Sequence, residues 1–186
     1  MLIDGDLTLR CAHSGERNEL WQQIFMNNEW KALDAPYTPL EYQSRFYFRL
    51  NLFRRLKEGD NALVIEHKGN VVGYLSCYWE DQSTRWLEVG ITLFQSQNWG
   101  KRIGRRALRL WIGHLFIKYE LQRIGLTTWS GNPRMMRCAE GLGMQQEGCL
   151  RKVRFYQGKY YDSLRYGVLR DEWESSKVRP SLAQVC

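Results

Sequence analysis

The hydrophobic pattern of this chain switches from helical to period two at about Ala62, and that switch restricts the fold more than any other feature. Up to about residue 58 apolar residues recur at helical spacing, and from Ala62 to Phe94 they recur every second residue. ALVIEH and VVGYLSCYW flank the turn Lys68-Gly69-Asn70, and RWLEVGITLF follows the loop EDQST. Such alternation marks strands, and two runs around a Gly-containing turn mark a hairpin. The meander runs straight into NWGKRIGRRALRLW, Asn98 to Trp111. There the period returns to helical, from Ile103 to about Tyr119, with Ala107, Leu108, Trp111, Leu115 and Phe116 on one face.

The flanks extend this plan. LTLRCA from Leu7 reads as a first strand. Ser14 is placed to cap a helix over about 16–27, with Leu20, Trp21, Ile24 and Phe25 as its inner face. In TPLE, Thr38 as N-cap, Pro39 at N1 and Glu41 at N3 predict a second helix. It would present Tyr42, Phe46, Leu50, Phe53 and Leu56 and end at Gly59. IGLTTWS is a short buried strand, and Asn132-Pro133 opens a helix that Gly141 and Gly143 terminate. CLRKVRFY and YYDSLRYGVL flank QGK as a closing hairpin. Antiparallel strands followed by strand–helix–strand crossovers predict a mixed α/β (α+β) sheet with helices laid on it. No linker interrupts it. One domain over 1–173 with a polar tail over 174–186, ESSKVRPSLAQVC, is expected.

Composition removes several function classes. Five cysteines are scattered without a CxxC pair or a His at ligand spacing, so free thiols in a reducing, cytoplasmic setting are expected and a metal is not. MLIDGDLTLR lacks the apolar core of a secretory signal, and no window of about 18 apolar residues reads as a membrane span. The net charge of +7 favours an anionic partner. With no helix-turn-helix, RNP or zinc signature, nucleic acid is not the expected one.

The chemistry concentrates at Trp99–Gly104, WGKRIG, between a strand and a helix. A helix start leaves backbone N–H groups free, glycine lets the backbone approach a ligand, and the helix dipole favours an anion. Lys101, Arg102 and Arg105 add full charges. No GK[ST] or GxGxxG pattern is present. By itself the stretch fits a pyrophosphate site or a solvated basic helix start.

In order, the chain carries WLEVG, WGKRIG, NPRMMRCAEGLGM, EGCLR, QGK, YYDSLRYGVL and RDEW. This series resembles the GNAT acetyltransferases, in the branch of RimJ/RimL-type ribosomal-protein, polyamine and antibiotic acetyltransferases, over Leu7 to Trp173. The resemblance implies a mostly antiparallel sheet of about seven strands flanked by about four helices. It also implies acetyl-CoA as co-substrate, a bacterial-type enzyme, a homodimer, and an N-acetyltransferase acting on a primary amine by direct attack in a ternary complex. The amine is that of a peptide or protein N-terminus, or of a small molecule. A non-catalytic acyl-CoA sensor of the same fold is the alternative.

The resemblance assigns the pyrophosphate to Trp99, Gly100, Lys101, Arg102, Ile103, Gly104 and Arg105. It assigns the pantetheine arm to Ile91, Thr92 and Leu93 on a strand that splays, over Gly90–Leu93, from Gly125–Trp129, and to Asn132 near the sulfur. Arg134 and Arg137, with Arg105 or Arg106, are candidates for the 3′-phosphate. Arg102 stands where the family prefers glycine, Met135 replaces a common Ser, Ala139 a common Tyr and Arg154 a Glu.

An acceptor amine must lose a proton to a carboxylate or His. Glu88 is the first candidate, with pairing to an Arg as its structural alternative. Asp162 is the second, with hairpin register as its alternative, and Tyr161 is a candidate proton donor to the thiolate. Trp30, Tyr37, Tyr42 and Phe46 would wall the acceptor pocket, and Glu80 and Asp81 would add local acidity.

Overall fold

The period-two stretch forms the centre of a single eight-stranded sheet in the order β1-β2-β3-β4-β5-β6-β8-β7. A computed structural model describes residues 1–175. The strands are β1 (Leu2–Asp4), β2 (Leu7–Arg10), β3 (Ala62–His67), β4 (Asn70–Asp81), β5 (Trp86–Leu93), β6 (Arg123–Trp129), β7 (Gln145–Tyr156) and β8 (Lys159–Leu169). The helices are α1 (Arg17–Phe25), α2 (Arg45–Leu50), α3 (Leu52–Glu58), α4 (Ile103–Lys118), α5 (Pro133–Glu140) and α6 (Arg170–Ser175). The strand beyond the expected seven is β1, too short to carry a readable alternation. Of the segment read as a tail, residues 174 and 175 complete α6, and 176–186 lie outside the described residues.

Both faces of the sheet are covered. Leu63 and Ile65 of β3 join Leu75, Cys77, Leu87 and Val89 beneath α4, whose Ala107, Leu108, Trp111, Ile112 and Leu115 are buried there. Ala62 and Val64 point the other way, into a second core with Leu20, Trp21 and Ile24 of α1, Phe48 of α2 and Phe53 and Leu56 of α3. A strand covered on both faces is apolar without alternation, which is why β3 begins ALVI.

The helix expected from Thr38 differs in the structure. Ser44, not Thr38, caps α2, its hydroxyl accepting from Tyr47 N at 3.2 Å. At Asn51 the backbone leaves helical geometry (φ −108°, ψ −98°) and the Nδ2 amide bonds back to Tyr47 O at 2.8 Å. The break rotates the apolar face, so Phe48, Phe53 and Leu56 are buried while Tyr42, Phe46 and Leu50 are exposed. A local capping signal was overridden by where the chain must meet the sheet.

Among the described residues only β5 and β6 pair in parallel, α4 being the crossover between them, and they do so at two positions, Leu87↔Ile124 and Glu88↔Gly125. Glu88 is wholly buried at this vertex. Its carboxylate accepts from Trp86 Nε1 (2.9 Å), Arg123 Nη1 (3.2 Å) and Thr127 Oγ1 (3.2 Å). Arg123 also binds Glu147, Nε to Oε2 at 2.9 Å. The room for this network comes from two facing glycines, Gly125 and Gly167. A Cβ on Gly125 would lie 2.4 Å from Glu88 Oε1, and one on Gly167 would lie 2.2 Å from Glu147 Oε1.

Gly125→Ala should therefore lower the unfolding free energy by about 2 kcal/mol, the order of an overpacked core. Gly148→Ala, whose Cβ would meet only Arg165 Cβ at 3.8 Å, should cost well under ~1 kcal/mol. Urea unfolding of both variants checks the contrast.

His114 stacks on Trp111 (centroids 5.5 Å apart, planes at 20°), and burial, aided by Lys118, holds its imidazole below the ordinary value. The unfolded chain then binds this proton more tightly. Stability should fall as pH drops through the unfolded value of about 6.5 towards the lower folded one. His114→Gln should flatten that part of a melting-temperature-against-pH profile.

Candidate active site

Beyond the vertex β5 and β6 part. β5 continues along β4 as far as Gly73↔Leu93, and β6 continues along β8 as far as Trp129↔Ser163, with no pairing between them. The facing edges of Val89–Leu93 and Leu126–Trp129 therefore carry backbone groups with no strand partner, aimed into a gap. The gap opens into a cleft of about 750 Å³.

One end of the cleft is cationic. It is lined by Trp99, Gly100, Arg102, Ile103, Gly104 and Arg105 from the start of α4, and by Asn132, Arg134 and Arg137 from α5. None of these four arginines is in an ion pair among the described residues. Arg134 lies over the Trp99 ring at 5.9 Å. Two residues of the loop are left-handed, Gly100 (φ +74°) and Arg102 (φ +64°). Arg102 is the N-cap of α4 and adopts the conformation that a glycine would adopt freely. Ile91, Thr92 and Leu93 line the adjoining gap. Lys101 is exposed and does not line the cleft. Arg106 is turned away, its Nε on Asp4 (2.8 Å) and Nη1 on Asp6 (2.8 Å).

Alternation builds the other end. Tyr74, Ser76 and Tyr78 of β4 face the cleft while Leu75 and Cys77 face the α4 core. Opposite them stand Trp30, Leu33, Asp34 and Tyr37 from the irregular connection after α1. That connection is tied across the cleft, because Leu33 O accepts from Trp129 Nε1 (2.9 Å) and Asn132 Nδ2 (3.0 Å). Asn132 Oδ1 meanwhile caps α5 through Met135 N (3.0 Å). Burial pushes the Tyr78 hydroxyl up to about 12, with the Glu88 and Glu80 charges adding to it. Burial also pushes Tyr74 up and the Cys138 thiol up to about 11.

The residues expected to move protons sit elsewhere. Glu88 shares the cleft's face of β5, but Trp86, Arg123 and Thr127 engage its carboxylate, and of these three only Thr127 lines the cleft. Asp162 Oδ1 accepts from Lys152 N (2.8 Å) at the bulge of the closing hairpin. Tyr161 packs edge-on against Trp129, centroids 4.9 Å apart. Neither lines the cleft. Of the expected acceptor walls, Trp30 and Tyr37 line it, whereas Tyr42 packs on Trp21 and Phe46 is exposed. Glu80 pairs with Arg165 and Asp81 closes its own turn on Ser83, and neither lines the cleft. Asp34, Tyr74 and Tyr78 were not anticipated. The tyrosines were readable from alternation along β4, but Asp34 lies in a turn with no periodic signal.

A mixed sheet opened between its one parallel pair, with a basic helix start at the mouth, is the architecture of an acyl-group transferase of the GNAT type. The sequence profile of the acetyltransferase (GNAT) domain matches residues 6–145, and the chain belongs to that family. The family and fold expected from the sequence are both met. Among similar proteins, the SPbeta prophage-derived uncharacterized N-acetyltransferase YokL of Bacillus subtilis (strain 168) is 28% identical over 63% of this chain and 66% of its own length. The putative ribosomal N-acetyltransferase YdaF of the same strain is 30% identical over 60% of each. The chain thus spans about two thirds or less of these relatives' lengths. The spermidine N-acetyltransferase of Vibrio cholerae, solved with CoA and spermine, superposes with a TM-score of 0.73 over 92% of this chain and 99% of that one, at 20% identity. Among the described residues no group of His, Cys, Asp or Glu is arranged to hold a metal, and no helix is long and apolar enough to cross a membrane.

Arg102→Gly should raise the unfolding free energy by about 0.5–1 kcal/mol, because it relieves a left-handed side chain. Urea denaturation at fixed ionic strength measures this.

Proposed function

We propose that this chain is an acetyl-CoA-dependent N-acetyltransferase that acetylates a primary amine by direct attack. The observation that carries the reading is the cluster of four unpaired arginines around the left-handed start of α4, opening directly into the gap between β5 and β6. A pyrophosphate fits the free N–H groups of the loop and first turn, with Arg102, Arg105, Arg134 and Arg137 as counter-charges. A pantetheine arm carries amides that can bond the unpaired strand edges at Ile91–Leu93. N–H groups of the same edges are available to an oxyanion. Asn132 keeps one Nδ2 hydrogen for the arm, the other being bound to Leu33 O.

The acceptor class is a peptide or protein α-amine or a small-molecule monoamine. A net charge of +7 and a cleft with a single carboxylate argue against a polycation. YdaF is named as a ribosomal acetyltransferase, and the Vibrio cholerae structure is a spermidine enzyme, so relatives span both classes. A homodimer belongs to this reading, supported by the exposed Leu150, Val153 and Phe155 on the outer strand β7. So does a cytoplasmic setting, supported by the unpaired Cys11, Cys77, Cys138 and Cys149. An acyl-CoA sensor is the second reading, favoured by the full engagement of Glu88 and the burial of Ala139. Thiol release on amine addition separates the two.

A Cβ at Gly104 would meet only Ile91 and Leu93 side chains at 3.6 and 3.7 Å. Gly104→Ala should therefore keep CoA affinity within about threefold. Gly104→Glu should lower it roughly a hundredfold, about 2.7 kcal/mol. Calorimetric titration with CoA tests this, and equal affinities for the two variants would remove the basis of the reading.

A further inference from the structure

We propose that Asp34 is the acceptor-binding carboxylate of this site, receiving the incoming primary ammonium in the cleft and taking its proton before attack. The inference rests on the acetyl-transfer reading and deepens it. Among the described residues Asp34 is the only carboxylate lining the cleft. Its side chain makes no hydrogen bond and no ion pair there, in contrast to Glu88, Glu80 and Asp162.

Its position is set through the backbone on either side of it. Asp34 N donates to Trp30 O (3.2 Å), the preceding carbonyl at Leu33 is held by Trp129 and Asn132, and the following Ala35 is left-handed (φ +46°). Asp34 is exposed on the cleft lining, and a turn held on both sides while its carboxylate stays unbonded presents that carboxylate to a ligand entering the cleft.

The titratable groups that feel its charge are Tyr74 and Tyr78 from β4 and Lys31 from its own turn, and Tyr37 of the same connection lies beneath Arg154. Desolvation pushes the Asp34 carboxyl up, against the pull of Lys31. The cleft lining thus carries four arginines, all from the start of α4 and from α5, and one carboxylate, from the turn after α1. That division suits a ligand pair in which the donor is polyanionic and the acceptor carries one positive charge.

The proton balance closes without another reagent. R–NH₃⁺ gives one proton to the Asp34 carboxylate, and the neutral nitrogen attacks the thioester carbonyl carbon. The C–N bond forms, the C–S bond breaks and the thiolate leaves. The second nitrogen proton goes to that thiolate, and Asp34 returns its proton to water.

Two measurements test this. Acetyl-CoA turnover is followed by thiol release with n-butylamine and with an alanine-initiated hexapeptide, using wild type, Asp34→Asn and Asp34→Glu. Asp34→Asn should raise the KM of the amine about tenfold or more and lower kcat. The KM of acetyl-CoA should move less than about twofold, and Asp34→Glu should recover part of the loss. An amine KM within about twofold of wild type in folded Asp34→Asn, with CoA affinity intact, overturns the assignment.

The second measurement needs no turnover and no variant. The carbon-13 carboxyl signal of wild-type Asp34 is titrated against pH with and without n-butylammonium. A bound ammonium should lower the midpoint by about one unit, and n-butanol should leave it in place. An unmoved midpoint overturns the proposal. A moved midpoint in a protein that transfers no acetyl group to any amine keeps Asp34 as an ammonium site while the transferase reading fails.

Discussion

The parting of β5 from β6 is the constraint on which the rest depends. A parallel pair joined by a helix would ordinarily zip along its whole length. Here two register pairs form at Leu87 and Glu88, and each strand then follows its outer neighbour. Such a wedge needs a clamp at its vertex, because every strand edge above it is unpaired. Glu88, Arg123 and Glu147 supply that clamp. A buried carboxylate without partners would be costly, whereas one that accepts from an indole, a guanidinium and a hydroxyl is satisfied. Gly125 and Gly167 are part of the same device, since any side chain there would occupy its volume.

The basic residues that crowd Asn98 to Trp111 divide by geometry rather than by sequence. Arg102 and Arg105 turn into the cleft. Arg106, one residue on, points to the far side of the helix and binds Asp4 and Asp6, fastening β1 to α4. Lys101 is in solvent. A helix advances about 100° per residue, so adjacent charges cannot serve one anion. The two arginines of the first turn of α5 and its end complete the cationic wall from a second element.

What could be read from the sequence follows how local the cause is. The meander, α4 and its inner face come from periodicity within a dozen residues, and the anion site comes from one strand-to-helix junction. The helix over residues 38–58 was misplaced because its capping box is local and the break at Asn51 is not. Glu88 was found on the right strand. Pairing with an Arg was its stated alternative, but which Arg was not readable, because Arg123 lies on β6 and reaches it only through the parallel pairing. Asp34 gave no signal for the same reason. Its turn is set by Trp129 and Asn132, about a hundred residues later, and no window on residues 28–37 contains them.

Asn132 makes the two ends of the cleft interdependent. Its Oδ1 begins α5, which places Arg134 and Arg137 at the cationic end, while its Nδ2 holds the Leu33 carbonyl that sets Asp34 at the other. The family pattern led to an expectation of a pantetheine ligand at this position. In the structure a single amide couples the helix that carries Arg134 and Arg137 to the turn that carries Asp34. Loss of that amide would therefore loosen the start of α5 and the Leu33 turn together, with Trp129 Nε1 left as the one remaining donor to the Leu33 carbonyl.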